Sequence, residues 1–192
     1  LGVLTGAGVS TASGIPDYRD VNGQWKRAQP VTFQAFMGAE VTRQRYWARS
    51  LVGWRTFGQA RPGLAHTVLA PLERAGRVEL LITQNVDGLH EAAGSSRVVD
   101  LHGRLDTVRC MGCEARFSRA SWQDALVDLN PDWAQLSALS APDGDADLEA
   151  VDFSRFVIPA CPHCGVGVLK PDVVFYGELV PRAGVEQCLD VI

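Results

Sequence analysis

The sequence predicts an α/β fold: a parallel sheet that carries a glycine turn, with a cysteine-bearing module inserted in the chain. Three observations predict it. The apolar run Leu1-Gly2-Val3-Leu4-Thr5 leads straight into Gly6-Ala7-Gly8-Val9-Ser10. A second apolar run, Val78 to Thr83, delivers the polar stretch Gln84-Asn85-Val86-Asp87. Two C-x-x-C pairs, Cys110/Cys113 and Cys161/Cys164, lie in the second half of the chain.

The 192 residues suffice for one substantial core and a small insert. Hydrophobic residues make up 46% and charged residues 21%, ordinary values for a globular chain. The net charge is -4, and only two of the 18 basic residues are lysines, Lys26 and Lys170. No basic face for nucleic acid and no membrane-surface segment is expected from this pattern. No apolar stretch approaches the ~20 residues that cross a bilayer. Leu1 to Thr5 lacks the basic leader of a secretory signal, so the expected setting is cytoplasmic or an organelle matrix, not secreted. The chain opens in mid-strand without an initiator Met and stops at Val191-Ile192 with an apolar pattern under way, which reads as two cut ends.

The first run reads as a buried parallel strand. Gly6 and Gly8 permit a tight turn and a close backbone approach to a ligand. Ser10 or Thr11 is expected to cap a following helix whose free amides would face an anion. These are the parts of a dinucleotide phosphate site, but the third position of G-x-G-x-x-G is Thr11, so an ordinary tight turn also fits. Asp20 to Trp25 is polar and reads as a mobile loop, either a lid or a plain surface connection.

Residues from about Val31 to Phe57 read as helical, with Val41, Tyr46, Trp47, Leu51 and Trp54 near helical spacing. Leu64 to Ala75 resumes a helix that stops at Gly76, and His66 within it reads as a packed or capping residue. The strand Val78 to Thr83 ends at the edge where parallel sheets bind ligands, so Gln84, Asn85 and Asp87 suit a polar ligand; Asn85 or Asp87 can equally cap a helix starting near Gly88. Val98 to Gly103 is a third short strand into a turn. It presents His102, an imidazole suited to proton transfer or to a structural bond.

Paired C-x-x-C motifs without a secretory leader favour a metal over disulfides. Four thiolates from Cys110, Cys113, Cys161 and Cys164 complete a closed tetrahedral shell, which fits one structural zinc ion. Between them, Ser121 is expected to cap a helix Trp122 to Leu129, and the acidic, Pro/Gly-bearing stretch 140–147 reads as a solvated loop. Val173-Val174-Phe175-Tyr176 reads as a strand run closed by Gly177.

Gly6 to Ser10 followed by Ser13-Gly14-Ile15-Pro16-Asp17-Tyr18-Arg19 resembles the first signature of the sirtuins, NAD-dependent protein deacylases. Thr83 to His90, Leu101-His102-Gly103, the cysteine pairs and Lys170 to Glu178 resemble the family's further signatures, in the same order. The resemblance implies a doubly wound, Rossmann-like domain over residues 1–104 and 170–192, with a helical and loop insert at about 20–65 and a zinc module at 105–169. Strands near Leu1, Val78, Val98 and Val173 would form the sheet.

The same resemblance implies that NAD lies against Gly6, Ala7, Gly8, Ser10, Ile15, Asp17, Tyr18 and Arg19, and against Gln84, Asn85, Val86 and Asp87. It makes His102 the general base and gives Asn85 a catalytic part. Val173, Val174, Phe175, Tyr176 and Gly177 would receive an acyl-lysine peptide as an added strand. Products would be free lysine, nicotinamide and O-acyl-ADP-ribose.

Pro-Asp-Tyr-Arg, Arg-Tyr-Trp-Ala-Arg and Pro-Asp-Gly-Asp resemble the class that includes the mitochondrial lipoamidase and ADP-ribosyl transferase member. In one subgroup a Tyr-x-x-Arg pair, here Tyr46 and Arg49, grips acidic acyl groups; the same pair also reads as a core-edge ring and a paired surface charge. ADP-ribosyl transfer and lipoamide cleavage are alternatives at the same site, and a non-catalytic zinc module is another. The family's second Rossmann half is absent from these residues. The 192-residue span by itself is therefore expected to bind NAD weakly and turn over poorly.

Overall fold

A computed structural model describes residues 1–19, 22–24, 26, 30–148 and 151–191. Three strands, β1 (Gly2–Thr5), β2 (Leu80–Thr83) and β3 (Val98–Asp100), form a parallel sheet in the order β1-β2-β3. The register pairs Thr5 with Thr83 and Thr83 with Asp100, so the three carboxyl ends are level. Gly6, Gln84 and Leu101 therefore leave the sheet side by side. β1 is parallel as expected but is not buried along its length: Leu4 is 64% exposed, and only Thr5 lies inside.

The glycine turn departs from expectation. No α-helix follows it. Two 3-10 turns, Ala7–Val9 and Thr11–Ser13, take its place, and Ser10 makes no side-chain cap. Gly14, at φ 83°, ends the second turn in the left-handed region that glycine adopts without strain, and Pro16 shortly beyond keeps Ile15 out of helical geometry. Part of the loop expected at Asp20 to Trp25 lies outside the described residues.

The crossover from β1 to β2 holds three helices, α1 (Phe33–Gly38), α2 (Glu40–Phe57) and α3 (Leu64–Arg74). Thr32 Oγ1 caps α1 by accepting the Ala35 amide at 3.2 Å. A four-residue helix, α4 (Leu89–Ala92), joins β2 to β3.

A second, antiparallel sheet has the order β5-β4-β6, from β4 (Gly103–Cys110), β5 (Arg116–Ser118) and β6 (Leu169–Val173). The strand near Val173 was expected in the parallel sheet. It pairs instead with β4, Gly103 opposite Val173 and Cys110 opposite Leu169. An antiparallel partner needs no crossover, and β4 was already in place to accept it.

Helix α5 (Arg119–Leu129) starts earlier than expected. Its cap is Ser118, whose Oγ accepts the Ser121 amide at 3.0 Å, so Ser121 is inside the helix. The short α6 (Pro131–Ala134) follows, and α7 (Arg182–Leu189) packs along β3. The main core joins α2 and α5 to β4 and β6 through Trp47, Leu51, Val108, Trp122, Leu126 and Leu169. A smaller cluster of Ile15, Phe57, Val86, Leu89 and Leu105 lies beneath the level strand ends.

The acidic stretch at 140–147 is not a solvated loop. Ala141, Pro142, Gly144, Ala146 and Leu148 are buried, and the segment lies on α2. A Cβ on Gly53 would meet the Gly144 carbonyl oxygen at 2.3 Å, so the two backbones touch only because Gly53 has no side chain.

Candidate functional site

The level ends of β1, β2 and β3 place three segments within hydrogen-bond reach. Ser10 is their hub. Its Oγ donates to Asp87 Oδ2 at 2.6 Å and accepts from Asn85 Nδ2 at 3.0 Å. Asn85 Nδ2 also donates to the Gly6 carbonyl at 3.2 Å. Asp87 Oδ1 accepts the Leu89 amide at 2.9 Å, so Asp87 caps α4 while holding the glycine turn. Asn85 is 8% exposed and Ser10 1%.

Two buried histidines stand behind the hub. The Gly63 amide donates to His66 Nδ1 at 3.1 Å, so Nε2 bears the ring hydrogen and points it at Ser10 Oγ, 3.5 Å away. His90 Nε2 is bonded to Thr5 Oγ1 at 3.0 Å, and its ring lies 4.6 Å from that of His66. Burial holds both imidazoles below their ordinary pKa, His66 despite the nearby Asp87 carboxylate. His66 is thus packed, as its position in the sequence suggests.

His102 follows β3 and is half-buried. Its Nδ1 lies 3.1 Å from the Gln84 carbonyl oxygen. A carbonyl only accepts, so Nδ1 is the donor here, and in the neutral ring Nε2 is then the acceptor. The His102 carbonyl accepts the Val174 amide at 2.8 Å, which ties it to the stretch 173–177. Within that stretch Phe175 is buried, Tyr176 is half-exposed, and the Tyr176 carbonyl accepts the Phe33 amide at 2.9 Å. The Leu105 amide donates to the Val86 carbonyl at 2.9 Å, and Val86 packs with Ile15.

The outer residues of the first signature turn toward other partners. Asp17 pairs with Lys26. Arg19 Nη1 donates to the Gly23 carbonyl at 2.7 Å. Tyr18 Oη donates to Asp143 Oδ2. Burial, then the Asp143 carboxylate, pushes the Tyr18 phenol well above its ordinary range, so it stays protonated.

Tyr46 packs edge-on against Phe36 at 5.4 Å. Arg49 makes a two-pronged ion pair with Asp145, Nε to Oδ1 and Nη2 to Oδ2, both at 2.9 Å. Asp143 and Asp145 are the residues the sequence reading missed. A signal was present: apolar or small residues alternate with aspartates from Pro142 to Leu148, the pattern of a segment with one packed side.

The four expected metal ligands converge. Cys110 and Cys164 Sγ are 3.7 Å apart, Cys113 and Cys161 Sγ 3.8 Å, and all four lie within 4.8 Å of one another. A tetrahedral ion with bonds of ~2.3 Å needs sulfur atoms about 3.8 Å apart, so the cluster fits zinc. The Val166 and Gly167 amides hold the Cys164 thiol down to about 6, toward the thiolate that a metal requires.

A parallel sheet whose carboxyl edge bears this turn, with four converging thiols inserted after β3, defines a dinucleotide-binding α/β protein with a structural metal module. A family model described as the Sir2 family matches residues 6–192, and the chain belongs to that family. It is similar to an NAD-dependent protein deacetylase of Bordetella bronchiseptica, 66% identical over 96% of this chain and 67% of the relative. It is similar to an NAD-dependent protein deacetylase of Xanthomonas campestris pv. campestris, 68% identical over 96% and 63%. Among solved structures it resembles a Sir2 homologue in complex with NAD, with TM-score 0.65 and 36% identity over 97% of this chain and 61% of that one. It also resembles a Sir2 protein with a p53 peptide and NAD, with TM-score 0.65 and 30% identity over 97% and 63%. The chain thus spans about two thirds of the length of the relatives it matches. Among the described residues no helix is long and apolar enough to cross a membrane.

Proposed function

We propose that this chain forms the cofactor turn, general base and zinc module of an NAD-dependent protein-lysine deacylase. The observation that carries the reading is the contact of His102 Nδ1 with the Gln84 carbonyl at 3.1 Å, which directs Nε2 away from that bond, on the same edge as the Gly6–Asn85–Ser10–Asp87 web.

Each residue then has a role its contacts support. Gly6 and Gly8 bear no side chain, and a Cβ on either would enter open space, so a pyrophosphate can approach the backbone there. Asn85 uses both amide hydrogens inside the protein, which leaves its carbonyl oxygen as the group it offers a carboxamide or ribose. Asp87 is fixed by Ser10 and Leu89 beside it. Ala7, Ile15, Tyr18 and Val86 complete the nicotinamide side. When bound, NAD would supply a ribose carbon open to an acyl-lysine oxygen as nicotinamide departs; with one water consumed, the acyl group would end on ADP-ribose and the lysine amine would be freed. His102 would serve to accept a ribose hydroxyl proton at Nε2. The stretch Val173 to Gly177 receives the peptide by main-chain bonding.

The test is nicotinamide release by the purified full-length protein that contains this chain, with and without an acetyl-lysine peptide. Release that requires the peptide supports deacylation. Release that proceeds equally without it would mark transfer of ADP-ribose to protein and overturn the reading.

A further inference from the structure

Lys170 is one of two lysines in the chain and is 3% exposed. Its ammonium has three hydrogens and meets three acceptors: the Pro171 carbonyl at 3.2 Å, the Val173 carbonyl, and Glu178 Oε2 at 3.0 Å. The charge also sits 4.6 Å from the centre of the Phe175 ring. The same Glu178 oxygen accepts the Phe175 amide at 2.9 Å. The Glu178 amide in turn donates to the Phe175 carbonyl at 2.9 Å. The pair therefore grips the chain at Val173 and at Phe175, on either side of Val174. Val174 is the residue whose amide holds the His102 carbonyl at 2.8 Å.

We infer that the buried Lys170–Glu178 pair is a positioning device for His102 and for the stretch 173–177 that follows β6, through the Val174 amide. The inference rests on the deacylase reading for its kinetic consequence and on the hydrogen bonds alone for its structural one. His102 is held from two sides: its ring by the Gln84 carbonyl and its backbone by Val174. Without the ion pair, the Val173 carbonyl and the Phe175 amide lose the side-chain partners that hold them on either side of Val174. A buried cation needs its counter-charge, and in return it fixes every group it bonds. Neither residue touches the groups proposed to bind NAD, so cofactor affinity is not part of its effect.

Lys170→Met by itself strands the Glu178 carboxylate and threatens folding. The informative protein is therefore the double variant Lys170→Met with Glu178→Gln, which removes both charges while keeping the volume. Lys170→Arg tests rescue, because a planar guanidinium keeps the charge but not the three-pronged geometry. Melting temperature, kcat, KM for acetyl-peptide and for NAD, and hydrogen exchange at the Val174 amide are measured in each.

The expected result for the double variant is a folded protein whose kcat falls roughly 10- to 100-fold. Its NAD KM stays unchanged, its peptide KM rises, and its Val174 amide exchanges faster. Lys170→Arg recovers only part of kcat. A folded double variant with wild-type kcat and wild-type Val174 exchange overturns the inference. Full-length wild-type protein that releases no nicotinamide in the presence of peptide overturns the deacylase reading instead, and the exchange rate at Val174 then decides the positioning claim by itself.

Discussion

Ser10 and Asp87 are 77 residues apart in the chain and 2.6 Å apart in space. That bond closes the glycine turn of β1 onto the polar segment after β2. It also explains why the serine does not cap a helix: its hydroxyl is already committed. Ser10→Ala leaves the Asn85 amide and the Asp87 carboxylate each short of a partner. The expected cost is about 1–3 kcal/mol of stability, read by urea unfolding. NAD KM should rise and kcat should fall, because both groups lose their orientation.

For His102→Ala the expected outcome is different. Among the described residues the imidazole is hydrogen-bonded to one group, the Gln84 carbonyl just past β2, so the fold and NAD affinity are expected to be retained. Turnover falls roughly 10²- to 10⁴-fold, the usual worth of a general base. Calorimetry with NAD beside a nicotinamide-release assay checks both halves. Loss of NAD binding would assign His102 a structural part.

Asp143 predicts a pH dependence. Burial pushes its carboxyl from an ordinary 3.8 up to about 6, against the pull of the Tyr18 hydroxyl. The folded chain therefore holds this proton more tightly than the unfolded chain does. The group's contribution to stability is fully present below about pH 4 and is lost as pH rises through about 6. Asp143→Asn keeps an acceptor for Tyr18 and removes the titration. It should flatten the stability profile over that window and leave the protein more stable than wild type near neutral pH, as measured by denaturant unfolding at a series of pH values.

The cysteine cluster predicts one zinc per chain. Removing it with a strong chelator should strand four thiols at 4.8 Å or less, two of them buried, and lower the melting temperature sharply. Cys164→Ser should do the same without a chelator. Metal analysis of purified protein against its thermal melt is the check.

The parts of the site that were legible in the sequence are those set by local chemistry. Glycines at a strand end, amide and acid at the next strand end, and thiols in C-x-x-C pairs each carry their own spacing. What was not legible depends on partners distant in the chain. Ser10 reads as a cap until Asp87 is beside it. The strand at Val173 reads as parallel until β4 is found in position to pair with it. Asp143 and Asp145 read as solvated acids because Tyr18 and Arg49, their partners, lie about a hundred residues earlier. Arg49 was an ambiguous side chain for the same reason: its helix position shows which face it occupies and nothing of the carboxylate that meets it.

Strand β4 begins one residue after His102 and ends on Cys110. Eight extended residues span about 26 Å, paired with β6 at both ends across a bulge between Arg104 and Val108, and reach the sulfur cluster at the far tip. Whatever loosens that tip, whether oxidant, chelator or heat, slackens the mooring of the imidazole at the other end. Oxidation or loss of metal at the cysteine end is thus expected to reach the proposed proton acceptor by way of the backbone they share.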